Sequence, residues 1–295
     1  MLVGQCPEPG RRGTVALSAG ATLMISLLGV ILLLSVAVGL SSNRSAIRLR
    51  TVSLAFALQV TIGFVALFTD WGIAALGAAS NSVAVLLSYS RTGMEFMFGG
   101  LVGSSDSLGF IFAFSVLPVI IFFSSLIAVL YHARIMQWMI RIMGGGLRAI
   151  LHTSHTESLS AAANVFVGQA EAPLVARPYI PGMTRSELFA VMVGGMASIA
   201  GSVMAGYVAL GVPLEYLLAA SFMAAPGGLL MAKLMEPETD TPTEPQQGEK
   251  LTGEKYINLI DAAATGAMNG LQMAAAIGAL LLAFVALIAM LNGML

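Results

Sequence analysis

Two carboxamides and a carboxylate, Asn164, Gln169 and Glu171, interrupt an otherwise membrane-grade stretch that reads SAAANVFVGQAEAPLVARPY over residues 160–179. A carboxamide both donates and accepts hydrogen bonds and a carboxylate accepts them, so the trio has the chemistry to grip a polar solute. In a chain this apolar such groups are costly unless they bind something, and an intramembrane ionisable residue marks a functional site by default. Gly168 precedes Glu171 and Pro173 follows it, both residues that interrupt regular backbone. The bland alternative is a packing hairpin whose polar groups bond only to neighbouring helices.

The elements that position these residues follow from composition. Of 295 residues, 57% are hydrophobic and 10% charged, which describes a polytopic all-α membrane protein rather than a soluble domain. A net charge of -1, with no basic run interleaved with aromatics, leaves no surface that would track a nucleic-acid backbone. The single cysteine, Cys6, excludes a disulfide framework and a cysteine-based metal site. The 18 Met and 32 Gly read as lipid-facing and helix-packing residues rather than as a copper or cofactor box.

Uncharged windows long enough to cross about 30 Å of hydrocarbon run over 17–40, 52–68, 108–131, 188–211, 216–232 and 262–295. Segments 72–90 and 158–176 are ambiguous, and the placement of Lys and Arg decides them, because each added crossing would move every later loop to the other side. If neither crosses, eleven of the fourteen cations share the cytoplasmic face: Arg44, Arg48, Arg50, Arg134, Arg141, Arg148, Arg177, Arg185, Lys233, Lys250 and Lys255. The N-terminus is then periplasmic, and loops 41–50, 132–187 and 233–257 are cytoplasmic. Segment 72–90 becomes an interfacial helix with Trp71 at the headgroup level. Residues 156–179 become a re-entrant hairpin whose arms, at about 12 residues or roughly 18 Å each, reach the bilayer midplane and no further. Its tip carries Gly168, Gln169, Ala170 and Glu171. Broken backbone at that depth is tolerated only when buried in protein or lining a cavity, and its unpaired amides and carbonyls bind substrate and cation in secondary transporters.

Longer motifs carry a family resemblance. From about Met24 onward, SSNRSAIRLR, FMFGGLV, GFIFAFSVLPVIIFFSSLI, MQWMIRIMGGGL, ESLSAAANVFVGQAEAPLV, MTRSELFAVMVGGMASIAG, AASFMAAPGGLLMAKLM and NLIDAAATGA follow one another as in bacterial concentrative nucleoside transporters, which the chain resembles. The resemblance implies a homotrimeric sodium/nucleoside symporter of the inner membrane, working by alternating access. Its scaffold would hold a mobile domain of two inverted repeats, each with a hairpin. It implies nucleoside contacts at Gly168, Gln169, Ala170 and Glu171. It also implies a sodium site at Asn164, Val167, Ser198 and Ile199, between the hairpin and a partly unwound following helix. Oxygen ligands suit a hard cation of this kind. Ala170 departs from the family, which often has Thr or Ser there, so the resemblance implies one hydroxyl contact fewer to the ligand or its ordered water.

By the same resemblance the second hairpin and later helices would lie beyond Leu295, so the expected fold has about six spans, one interfacial helix and one hairpin, without the second inverted repeat. Transport by this chain alone is therefore not expected. Its regions read as an extra N-terminal segment (1–23), scaffold spans with the interfacial helix (24–145), and the first transport-domain repeat (146–235). A cytoplasmic linker (236–257) and a long scaffold span (258–295) complete the chain. Proton coupling, a non-transporting fragment and a passive channel remain the alternatives. An intramembrane hydrolase is a weaker one, since His132, His152 and His155 lie in arginine-bearing loops with no HExxH or GxSxG around them. Gly266 and Gly270 form a GxxxG suited to close packing, and Asp261 is expected to cap the last helix.

Overall fold

The computed structural model describes residues 11–102, 111–166, 177–199, 201–209, 211–242 and 256–294. Every regular element among them is helical, as an apolar chain in hydrocarbon requires: a helix satisfies its own backbone. Helix α1 (Arg11–Gly39) ends where Arg44 turns back, donating from Nε to the Val38 carbonyl at 3.1 Å and from Nη2 to that of Gly39 at 2.7 Å. Residues 11–23, read from sequence as an extra segment, continue this helix.

Helices α2 (Leu49–Phe68) and α3 (Asp70–Phe98) are separated by Thr69 alone, whose hydroxyl oxygen caps α3 by accepting from the Gly72 amide at 3.2 Å. The single turn α4 (Phe112–Ser115) leads into α5 (Leu117–His132). Helix α6 (Ile135–Leu151) is bracketed by two left-handed residues, Arg134 and His152, at φ of 61° and 55°. Then come α7 (His155–Ala163), α8 (Arg185–Ala197), α9 (Gly201–Ala209), α10 (Leu214–Met235) and α11 (Leu259–Met294).

Five segments are long and apolar enough to cross a membrane: Leu49–Phe68, Asp70–Leu101, Phe112–His132, Leu214–Met235 and Leu259–Met294. The uncharged window 188–211 is not among them. It is broken into α8 and α9 at Ser198, whose φ of -105° and ψ of 157° are extended. Hydropathy alone could not reveal the break, because small residues on both sides suit helix and turn alike. Helix α3 has the length and composition of a span as well, so its interfacial placement rests on the charge argument.

The tightest packing relies on small residues, the rule where lipid tails remove the usual hydrophobic drive between helices. A Cβ at Gly270 would stand 2.8 Å from the Ile121 Cα, and one at Gly266 would stand 2.6 Å from the Ala128 Cβ, so the GxxxG lets α11 lie directly on α5. The Ser125 hydroxyl adds a bond to the Ala263 carbonyl at 2.9 Å. The start of α11 corrects one expectation. Asn258 is the cap, its Oδ1 accepting from the Asp261 amide at 2.8 Å, while Asp261 reaches back to accept from the Ile257 amide at 2.9 Å. Asp261 thus supports the cap from the first turn instead of forming it.

Candidate functional site

Two capping boxes start the helices around the site. Before α7, Ser154 Oγ accepts from the Glu157 amide at 3.3 Å, and Glu157 Oε2 accepts from the Ser154 amide at 3.1 Å. Before α8, Thr184 and Glu187 repeat the arrangement at 3.1 and 2.9 Å. The boxes touch: the Thr156 hydroxyl donates to Glu187 Oε1 at 2.7 Å. The starts of α7 and α8 therefore lie at the same level, which the hairpin expected from the sequence requires.

Lys233, near the end of α10, closes this junction. Its ammonium pairs with Glu157, donates to Ser186 Oγ at 2.8 Å and lies 3.5 Å from Glu238. Thr184 Oγ1 in turn donates to Glu238 Oε2 at 2.9 Å, and Ser186 Oγ donates to the Glu236 carbonyl at 2.6 Å. Glu157, Glu187, Ser186, Lys233 and Glu238 are all buried. Burial pushes the Glu157 carboxyl above its ordinary range, and the Lys233 charge beside it opposes that rise. Other loops gather at this end of the bundle. The Ser42 amide donates to the Met235 carbonyl at 2.9 Å, and Arg50 Nη2 lies 3.5 Å from His152 Nε2. Sequence reasoning missed the junction by reading Lys233 as a loop cation. The signal was present in the two boxes, Ser154 to Glu157 and Thr184 to Glu187, each followed by an apolar run.

At the other end of α7, Asn164 forms the C-cap and is 2% exposed. Its Oδ1 accepts a 3.4 Å bond from the Ser198 hydroxyl, the residue at which α8 unwinds. Its Nδ2 is buried without a partner among the described residues, as is Ser160 Oγ. A Cβ at Gly194 would sit 2.9 Å from that Nδ2, so only glycine leaves room for the carboxamide. Asn164 and Ser198, 34 positions apart, are therefore brought together, with Ile199 next to them at the break. Two side-chain oxygens converge here, and the end of α8 releases carbonyls from helical bonding. This donor set fits a hard monovalent cation, with Asn164 and Ser198 as the residues that would hold it. Val167 and the residues expected at a hairpin tip, Gly168, Gln169, Ala170 and Glu171, lie outside the described residues. Among the described residues no group of three or more His, Cys, Asp or Glu could hold a metal.

Comparison with known proteins places the whole arrangement. Residues 28–101 match the Na+ dependent nucleoside transporter N-terminus, 113–214 match a nucleoside recognition gate, and 216–295 match the Na+ dependent nucleoside transporter C-terminus. The chain belongs to the sodium-dependent nucleoside transporter family. Relatives in this family include an uncharacterized transporter of Haemophilus influenzae, 56% identical over 274 residues that cover 93% of this chain and 66% of the relative. The nucleoside permease NupC of Helicobacter pylori is 46% identical over 273 residues, 91% of this chain and 65% of its own length. The human sodium/nucleoside cotransporter 1 is 38% identical over 270 residues, 91% of this chain and 41% of its own. The chain thus spans 66% or less of the length of these family members. Among solved transporter structures, CNTnw in an inward-facing substrate-bound state superposes with a TM-score of 0.87 at 55% identity, covering 92% of this chain and 66% of that one. A doubly substituted CNTnw in an outward-facing state gives 0.86 at 54% identity, covering 91% and 65%.

Proposed function

We propose that this chain takes part in sodium-coupled nucleoside uptake across the bacterial inner membrane by alternating access. Gly168, Gln169, Ala170 and Glu171 would bind the nucleobase, and Asn164, Val167, Ser198 and Ile199 would bind the coupling sodium. The observation that supports this most is the meeting of Asn164 with the unwound turn at Ser198, which joins the end of α7 to the break between α8 and α9. A cation held there would neutralise the dipole end of α7 and fix the hairpin against α8. Sodium binding would thereby set the tip in place before the nucleoside arrives. The family likeness supplies the nucleoside class, and it supports a trimeric assembly.

The test uses a chimera in which this chain replaces the segment of the Haemophilus influenzae relative that it matches. Tritiated uridine and adenosine uptake is followed in transporter-null cells across a sodium series. The chimera is expected to take up nucleoside in proportion to occupied sodium site. In the chimera, Glu171→Gln or Gln169→Ala removes a hydrogen-bond partner for the base and weakens nucleoside binding by about 1 to 3 kcal/mol. Asn164→Ala or Ser198→Ala instead raises the sodium concentration for half-maximal uptake. Uptake indifferent to sodium and driven by a pH gradient would replace sodium with a proton, and unchanged nucleoside affinity in the first pair would refute the base site.

A further inference from the structure

Helix α6 presents three sectors. At about 100° per residue, Met136, Ile140, Gly144, Leu147 and Leu151 fall on one face, and all five are buried. That face is docked on protein: a Cβ at Gly144 would stand 3.2 Å from the Leu159 Cα in α7. On the opposite side Ile135, Trp138 and Ile142 are exposed, Trp138 by 65%. Arg141 stands on the flank between these two faces, with Arg148 seven residues further along the same flank, and Arg134 is exposed at the start of the helix. No acidic residue occurs on α6, and among the described residues no ion pair holds Arg134 or Arg141.

An outer face bearing Trp138 and two isoleucines is ill-suited to water, and a flank of arginines is ill-suited to hydrocarbon. Both are satisfied only where the helix lies along the boundary between them. The arginines then stand at the depth of the lipid phosphates, and the indole takes the interfacial position that tryptophan favours. We infer that the outer surface of α6 binds anionic phospholipid, with Arg134 and Arg141 on the headgroup phosphates and Trp138 and Ile142 among the upper acyl chains. Charge complementarity selects this occupant: a zwitterionic headgroup offers the same phosphate but also brings a cation toward Arg134 and Arg141, which have no ion pair among the described residues.

The chain has two tryptophans, so Trp71→Phe leaves Trp138 as the sole indole reporter. The purified chain is reconstituted in phosphatidylcholine vesicles containing a fifth phosphatidylglycerol, with bromine on the acyl chains of one lipid or the other. Brominated phosphatidylglycerol is expected to quench Trp138 well beyond its share of the bilayer, by an enrichment of about fivefold for each engaged arginine. Arg134→Gln with Arg141→Gln should return that quenching to the bulk share while quenching by brominated phosphatidylcholine persists, which certifies that the helix is still in place. Raising salt from about 0.15 to 1 M shortens the screening length from about 8 to 3 Å and should also reduce the excess. Quenching by the anionic lipid that merely matches its share overturns the inference. So does an indole that neither brominated lipid quenches, which would mean that a second copy of the chain covers the face.

Discussion

Lys233 stands between two carboxylates, Glu157 and Glu238, in a region where all three side chains are buried. Removing one partner of a buried ion pair strands the other, which typically costs about 3 to 5 kcal/mol, whereas replacing both by neutral groups costs far less. Lys233→Met is therefore expected to lower the melting temperature of the detergent-solubilised protein sharply. Adding Glu157→Gln to it should recover part of the loss. A double variant no more stable than Lys233→Met would show that the two residues do not depend on each other. These residues mark the limit of what the sequence discloses at this scale. The polarity of Asn164, Gln169 and Glu171 is legible because it is anomalous in its surroundings. Lys233 lies next to a charged linker and looks solvated, and nothing local says that its partner is 76 positions away.

At the scale of elements, four of the six uncharged windows, 52–68, 108–131, 216–232 and 262–295, recur as helices long and apolar enough to cross, because the thickness of hydrocarbon dictates their length and helicity. The exact ends of α2 and α10 extend only a few residues beyond the uncharged windows. The division of 188–211 into α8 and α9 was not legible from composition, and only the family resemblance pointed to it. The reason is tertiary: Ser198 adopts extended backbone beside Asn164, a residue of another helix. Small-residue spacing was more informative, since Gly266 and Gly270 sit against α5. Gly270→Val would press a side chain into the Ile121 backbone, and overpacking of this kind costs about 1 to 3 kcal/mol. Gly77→Val makes the same change of helix propensity inside α3, where nothing lies within 4 Å. Thermal melts in detergent should separate them, with Gly270→Val destabilised and Gly77→Val close to the parent. Equal shifts would attribute the effect to propensity instead of packing.

For the whole molecule, the charge argument and the contacts agree on which segments share an end. The ends of α1, α6 and α10 and the starts of α2, α7 and α8 meet there through Ser42 and Met235, Arg50 and His152, and Thr156 and Glu187. The sidedness of that end rests on the cation count alone. In a Cys6→Ser background, Ala149→Cys and Gly182→Cys should react with a membrane-impermeant maleimide only from the cytoplasm. Glu215→Cys, at the start of α10, should react only from the periplasm. Labelling of either of the first two from outside intact cells would sink the re-entrant topology.

The bond between the two capping boxes and the lysine that closes them also has a chronology. Glu157 leaves the ribosome 76 residues before Lys233. At about 5 to 20 residues per second, its neutralising partner is some 4 to 15 s behind. During that interval the start of α7 carries a carboxylate without the lysine that neutralises it in the folded chain. The junction at that end is therefore expected to stay open until α10 has been made. Nascent chains arrested before Lys233 should leave the stretch around residue 157 open to protease, and chains arrested well after it should protect the same stretch. The closing of that end is thus expected to follow the synthesis of α10 rather than that of α7.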